Sequence, residues 1–111
     1  MKKALLIFLL AATPASAQVL QDNKSDAVKF AETGGRVAGG AFYCRMDEET
    51  QDQFIGMAAA RIATLAVDKV DKVVAQLEFS NNFSLWSSRA PSEGCEVFLQ
   101  DFQRRFPEIM R

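Results

Sequence analysis

Apolar residues between Asp47 and Trp86 recur at intervals of three and four, the spacing of one face of an α-helix. The positions are Ile55, Ala58, Ile62, Leu65, Ala66, Val70, Val73, Val74 and Leu77, and Phe79 and Phe83 extend the series. Asp47 is a candidate N-cap, because a short acidic side chain accepts hydrogen bonds from the first free amides of a helix. This spacing predicts a long helix whose apolar face lies in the core.

A helix of this length would be longer than most helices of globular proteins, so we expect a kink or a break. Two places favour an interruption. One is 67–71, where β-branched side chains crowd, and the other is 80–82, which reads Ser-Asn-Asn.

Shorter helices are expected before this segment. Ser25 is a candidate N-cap for a helix that runs to about Thr33, where the glycine pair 34–35 would end it. The following stretch is rich in small residues and is predicted as a second helix from about Arg36 to Arg45, or else as an irregular segment.

A final helix is expected near the C-terminus, with Ser92 as its N-cap and Pro107 as its stop. Its apolar face would consist of Cys95, Phe98, Leu99, Phe102 and Phe106. Signals for strands are weaker than these helical intervals. The predicted fold is therefore an all-α bundle of three to five helices.

The first residues have the organisation of a secretory signal peptide. Lys2 and Lys3 precede a short apolar run, and the Ala15-Ser16-Ala17 sequence has the form of a cleavage site. An N-terminal membrane anchor is the alternative, but the run falls short of the about 20 residues that a span needs. We expect residues 1–17 to be removed, leaving 18–111 as a single helical domain in the periplasm or outside the cell.

Cys44 and Cys95 are the only two cysteines. Exported chains with an even number of cysteines usually form disulfides, so we predict a bond between them, with a free redox pair or an intermolecular bridge as alternatives. Closing a loop of this length would stabilise the fold by about 4 kcal/mol in the chain-entropy model. Stabilisation of this size is important in a chain whose hydrophobic core is small.

Composition excludes several kinds of chemistry. The sequence has no histidine, which removes histidine-based catalytic triads and histidine metal ligands. Thirteen basic and fourteen acidic residues leave a formal charge of −1, unlike the basic surface of a nucleic-acid-binding protein. We therefore predict no enzyme activity, no cofactor, no metal site, no nucleic-acid partner and no stable membrane insertion after cleavage.

Two groups of residues are candidates for contacting a partner protein. The first is the aromatic and apolar set Phe83, Leu85 and Trp86, because aromatic residues are enriched at binding hot spots. The second is the acidic set Asp47, Glu48, Glu49 and Asp52. Each set also has a purely structural explanation: burial in the core for the aromatic residues, and helix capping for the acidic residues.

The sequence resembles two groups of small exported helical proteins. One is the periplasmic acid-stress chaperones, through the two cysteines about fifty residues apart, the run 44–47 (Cys-Arg-Met-Asp) and the run 54–58 (Phe-Ile-Gly-Met-Ala). The other is the periplasmic immunity proteins that neutralise type VI secretion effectors. That similarity lies in the run 54–57 and in the closing Phe102 and 106–108 (Phe-Pro-Glu). The length of the final helix after Cys95 departs from both groups.

These observations predict a non-enzymatic, protein-binding module of the inhibitor or immunity type. An acid-activated chaperone and a subunit of an envelope or secretion assembly are the alternatives. Self-association is left open.

Overall fold

The computed structural model describes residues 23–109, which form four α-helices and no strand. We number them α1 (Asp26–Tyr43), α2 (Glu48–Leu65), α3 (Lys69–Ser87) and α4 (Cys95–Ile109). The predicted all-α bundle is confirmed. The predicted signal peptide at 1–17 lies outside the described residues.

Helix α1 is one continuous helix rather than two. Ser25 is its N-cap as predicted, since the Val28 amide donates to Ser25 Oγ at 3.1 Å. The expected end near Thr33 is wrong, and so is the separate helix from Arg36 to Arg45. The glycine pair 34–35 lies inside the helix, which continues to Tyr43.

The glycines of α1 are explained by the helix that packs on them. A Cβ atom at Gly35 would lie 2.8 Å from Cβ of Asn82, and one at Gly39 would lie 2.8 Å from Cβ of Trp86. Each glycine costs a helix about 1 kcal/mol relative to alanine. Here that cost is offset because α1 and α3 approach until their backbones touch, which any larger residue would prevent.

Helices α2 and α3 replace the single long helix. The chain leaves helical geometry at 66–68, so an interruption near 67–71 is confirmed, whereas α3 runs unbroken through 80–82. Asp47 caps α2 as predicted by accepting from the Thr50 amide at 3.0 Å. Asp68 caps α3 in the same way, accepting from the Asp71 amide at 2.8 Å.

The predicted apolar face is buried only in its first half. Ala58 and Ile62 of α2 lie in the core, with Ile62 2% exposed. Val70 and Leu77 of α3 are 72% and 59% exposed, so the prediction that they are core residues is wrong. Because residues 66–68 are not helical, the apolar repeat of α2 does not continue in register into α3. Helix α3 therefore turns a different side, which includes Ala75, towards the core.

Helix α4 differs from its prediction at both ends. Gly94, with a φ of 87°, precedes its first residue, and Ser92 lies in the turn before it, so Ser92 is not the N-cap. Pro107 does not stop the helix, which continues to Ile109. A proline this near the end removes only the hydrogen bond to the carbonyl of Gln103, so the last residues retain helical geometry.

Two apolar clusters form the core. One joins α1, α2 and α3 through small residues and Ile62; its buried members are Ala27, Val28, Ala31, Ile62 and Ala75. The other attaches α4, because Phe102 and Phe106 pack on Phe54 of α2 with ring centroids 5.3 and 6.0 Å apart.

The predicted disulfide between Cys44 and Cys95 is present, with Cα atoms 5.3 Å apart. It joins the residue that follows α1 to the first residue of α4. The bond therefore fixes α4 at one end while the aromatic cluster holds it further along. Across residues 23–109, no helix combines the length and low charge that a bilayer span requires.

Candidate functional site

The four acidic candidates lie at the start of α2 and are all exposed. Asp47 accepts hydrogen bonds from both the amide and the hydroxyl of Thr50, each at 3.0 Å, which accounts for its position. Glu48 and Glu49 occupy the first turn, where negative charge favours the helix, and Asp52 follows one turn later. Within the described residues, no group of three or more acidic or cysteine side chains is arranged to hold a metal ion.

The three aromatic and apolar candidates do not form one surface. Phe83 is half-buried, and its ring meets Phe42 of α1 edge-on at 5.7 Å. Trp86 is also half-buried and faces α1, where its Cβ limits the space beside Gly39. Leu85 is 44% exposed and lies on another side of α3.

Leu85 belongs to an exposed apolar surface whose other members were predicted to lie in the core. We call this surface the α3 outer face and define it by Val70, Val73, Val74, Leu77 and Leu85. With 3.6 residues per turn, Val70, Val73 and Leu77 project roughly opposite Ala75, which packs towards α1, and Val74 and Leu85 lie on one flank of the helix. All five are more than 40% exposed.

The α3 outer face is extended at one end by Val67, which is 79% exposed in the connection that precedes the helix. Isolated apolar side chains are common on protein surfaces, but contiguous apolar patches mark interaction sites. Val70, Val73, Val74 and Leu77 are contiguous because they are three or four residues apart along one helix, and Leu85 lies about two turns further on. This surface is therefore a candidate for protein contact.

A second candidate is a cleft of about 580 Å³ between α1, the end of α3 and α4. Its floor is apolar, because Phe98 of α4 lies directly on the backbone of Gly40, where a Cβ would be 2.7 Å from the ring. Phe102 and Trp86 also line it. We call it the α1–α4 cleft.

Three arginines line the α1–α4 cleft, and two of them are adjacent to Trp86. The guanidinium carbon of Arg36 lies 4.3 Å from the centre of the indole ring, and that of Arg89 lies 5.8 Å from it. Arg105 of α4 is the third. Among residues 23–109, no carboxylate lies within 4.0 Å of any of these guanidinium groups.

Carboxylates also line the cleft: Glu93, Asp101 and Glu108. Asp101 pairs with Arg104, which does not line the cleft. Of the residues that line this cleft, only Trp86 had been singled out from the sequence as a candidate for partner contact. Trp86 and Arg89 have the i, i+3 spacing of neighbours on a helix, but Arg36 is fifty residues away and joins them only because α1 packs on α3.

A hydrogen-bonded junction connects the starts of α1 and α3. Ser25 Oγ donates to Asp71 Oδ1 at 2.7 Å, and the Val67 amide donates to the other carboxylate oxygen at 3.0 Å. Nearby, Lys24 donates to Glu32 at 2.7 Å, and this hydrogen bond raises the pKa of Lys24 above its ordinary value.

Comparison with protein-family models, with curated proteins and with solved structures found no match for this chain. The resemblances to periplasmic chaperones and immunity proteins therefore stay expectations that rest on short motifs. The α3 outer face and the α1–α4 cleft are the features on which a functional proposal can be based.

Proposed function

We propose that this protein is an exported, non-enzymatic module that binds another protein through the α3 outer face. The observation that carries the proposal is the exposure of five apolar side chains on α3, of which Val70, Val73, Val74 and Leu77 are contiguous. Burying a valine or leucine contributes about 1.5–3 kcal/mol, so covering this face would supply substantial binding energy.

The α3 outer face is also held in a fixed shape. Behind it, α3 packs backbone to backbone on the glycines of α1, and the Cys44–Cys95 bond secures the far end of α1 to α4. A preorganised surface loses little conformational entropy on binding, which favours affinity. Such a rigid apolar helix face suits a protein that blocks a groove of its partner, as an inhibitor or immunity protein does.

Two features support export, and a third supports a role without catalysis. The signal-like N-terminus and the disulfide both suit the periplasm or the outside of the cell. The lack of histidine removes the commonest general base of hydrolytic enzymes.

The test compares substitutions on the same helix. Val70→Asp and Leu77→Asp place a charge on the α3 outer face, and Gln76→Asp places the same charge at an exposed polar position outside it. Tagged variants are crosslinked in the envelope of the source cells, and recovered proteins are quantified by mass spectrometry. Circular dichroism verifies that each variant is folded.

We expect one partner to be recovered with the unmodified chain and with Gln76→Asp, and to fall at least about tenfold with the other two variants. Equal recovery with all three variants would contradict the proposal. If the face instead mediates pairing of two copies, sedimentation will show a dimer that Val70→Asp dissociates, and the inhibitor role is then wrong.

An acid-activated chaperone is the second candidate, and the capping carboxylates favour it. Asp47 and Asp68 cap α2 and α3, and Asp71 connects the starts of α1 and α3. At low pH the formal charge of residues 18–111 moves from −3 to about +11, which promotes loosening of these junctions by self-repulsion.

Circular dichroism, dye binding and suppression of client aggregation between pH 7 and pH 2 separate the two functions. A chaperone would expose additional apolar surface and protect its clients as the pH falls. A fold that is unchanged at pH 2, with no protection of clients, rejects this candidate and leaves the inhibitor role in place.

A further inference from the structure

The α1–α4 cleft combines an apolar floor with three arginines and three carboxylates. Phe98 and Phe102 form the floor, and the guanidinium groups of Arg36, Arg89 and Arg105 line the cleft around it. Its volume of about 580 Å³ is in the range of sites that hold small molecules.

The part of the cleft next to Trp86 favours an anion, because two arginines lie there. The guanidinium groups of Arg36 and Arg89 both lie within 6 Å of the centre of the same indole ring, so two positive charges share one aromatic neighbour. The negative face of the Trp86 ring compensates for part of this charge. Among residues 23–109, no carboxylate is within ion-pair distance of either guanidinium, so an incoming carboxylate would find two donors without an ionic partner.

We propose that the α1–α4 cleft binds a small organic anion in which one carboxylate is attached to an aromatic or branched aliphatic group. The carboxylate pairs with the guanidinium groups of Arg36 and Arg89, and the apolar group covers Phe98 and Phe102. Glu93 and Glu108 also line the cleft, and they disfavour a ligand with a second negative charge. The site is separate from the α3 outer face, because Trp86 faces α1.

Trp86 provides a direct measurement, since it is the only tryptophan of the chain and lies in the cleft. The probe is N-acetyl-L-phenylalanine, which carries one carboxylate and one phenyl group. Its neutral counterpart is N-acetyl-L-phenylalanine amide. Binding is followed by Trp86 fluorescence and, independently, by titration calorimetry with the full chain.

We expect saturable binding of the acid with a Kd on the order of 1 mM or tighter, and at least about tenfold weaker binding of the amide. Arg36→Gln and Arg89→Gln should each weaken binding of the acid about tenfold while leaving the weak binding of the amide unchanged. Arg61→Gln is the matched control, because Arg61 also lies over an aromatic ring, that of Phe30, but does not line this cleft.

Three results would overturn the proposal: no saturable binding of the acid, equal affinity for the acid and the amide, or an equal loss with Arg61→Gln. The comparison of the acid with the amide needs no variant, so it decides the question even if a substitution disturbs folding. Circular dichroism of each variant identifies such a disturbance.

Discussion

A Cβ atom placed on Gly39 would lie 2.8 Å from the carbonyl oxygen of Phe83, so the backbones of α1 and α3 are in direct contact at this point. The same is true one turn earlier, where Gly35 meets the backbone of Phe79. This contact fixes the orientation of α3, and with it the direction in which the α3 outer face and Trp86 point.

Gly39→Ala should therefore destabilise the protein by about 1–3 kcal/mol, because the added methyl group has no space and α3 must shift. Gly56→Ala is the matched control, since Gly56 lies in α2 with nothing within 4 Å of its Cβ position. There the higher helix propensity of alanine should stabilise the fold by up to about 1 kcal/mol. Urea unfolding measures both values. Opposite signs are expected, and equal effects would contradict the close packing of α1 on α3.

Two of the capping residues, Ser25 and Asp47, and the disulfide could be predicted from the sequence because they depend on local chemistry. Ser25 and Asp47 precede amphipathic segments, and two cysteines allow only one intramolecular pairing. Asp68 was not predicted as a cap, and the prediction for Ser92 is wrong. The glycines of α1 could not be predicted in this way. Helix propensity gives the free-energy cost of Gly34 and Gly35 within α1. It contains no information about α3, the helix that packs against them.

Val70 and Ile62 illustrate a second limit of the sequence. Both fit one apolar repeat, yet Ile62 is 2% exposed and Val70 is 72% exposed. The repeat assumes one continuous helix, and the three residues 66–68 change the direction of the chain between them. The arginines of the α1–α4 cleft could not be predicted to lie together either, because they come from three separate segments of the chain.

Alanine substitutions test directly whether Ile62 is a core residue and Val70 a surface residue. Ile62→Ala should destabilise the protein by about 2–5 kcal/mol, since it leaves a cavity in the core. Val70→Ala should change the free energy of unfolding by no more than about 0.5 kcal/mol, because the side chain is already largely in water. Chemical denaturation of both variants measures the difference. A large loss with Val70→Ala would mean that α3 turns this side to the core, and the docking proposal would then fail.

The attachment of α4 by aromatic residues leads to a further prediction. Phe54 is buried between Phe102 and Phe106, so Phe54→Ala should cost about 3–5 kcal/mol. Met57→Ala, at a 44% exposed position one turn along α2, is the control and should have little effect. Thermal unfolding followed by circular dichroism separates the two. Similar melting temperatures for the Phe54→Ala and Met57→Ala variants would show that the attachment of α4 does not depend on the aromatic cluster around Phe54.

The disulfide should contribute more to stability than any single side chain outside the core. Replacing Cys44 and Cys95 together with serine removes the restraint on the unfolded chain and should lower the free energy of unfolding by about 2–5 kcal/mol. The unmodified protein treated with a reductant is the control, because it loses the bond without a change of sequence and should show a comparable loss. Urea unfolding measures both, and intact mass after alkylation should show no free thiol before reduction. Two alkylated cysteines in protein taken from the envelope would contradict the bond and remove one of the two observations that support export.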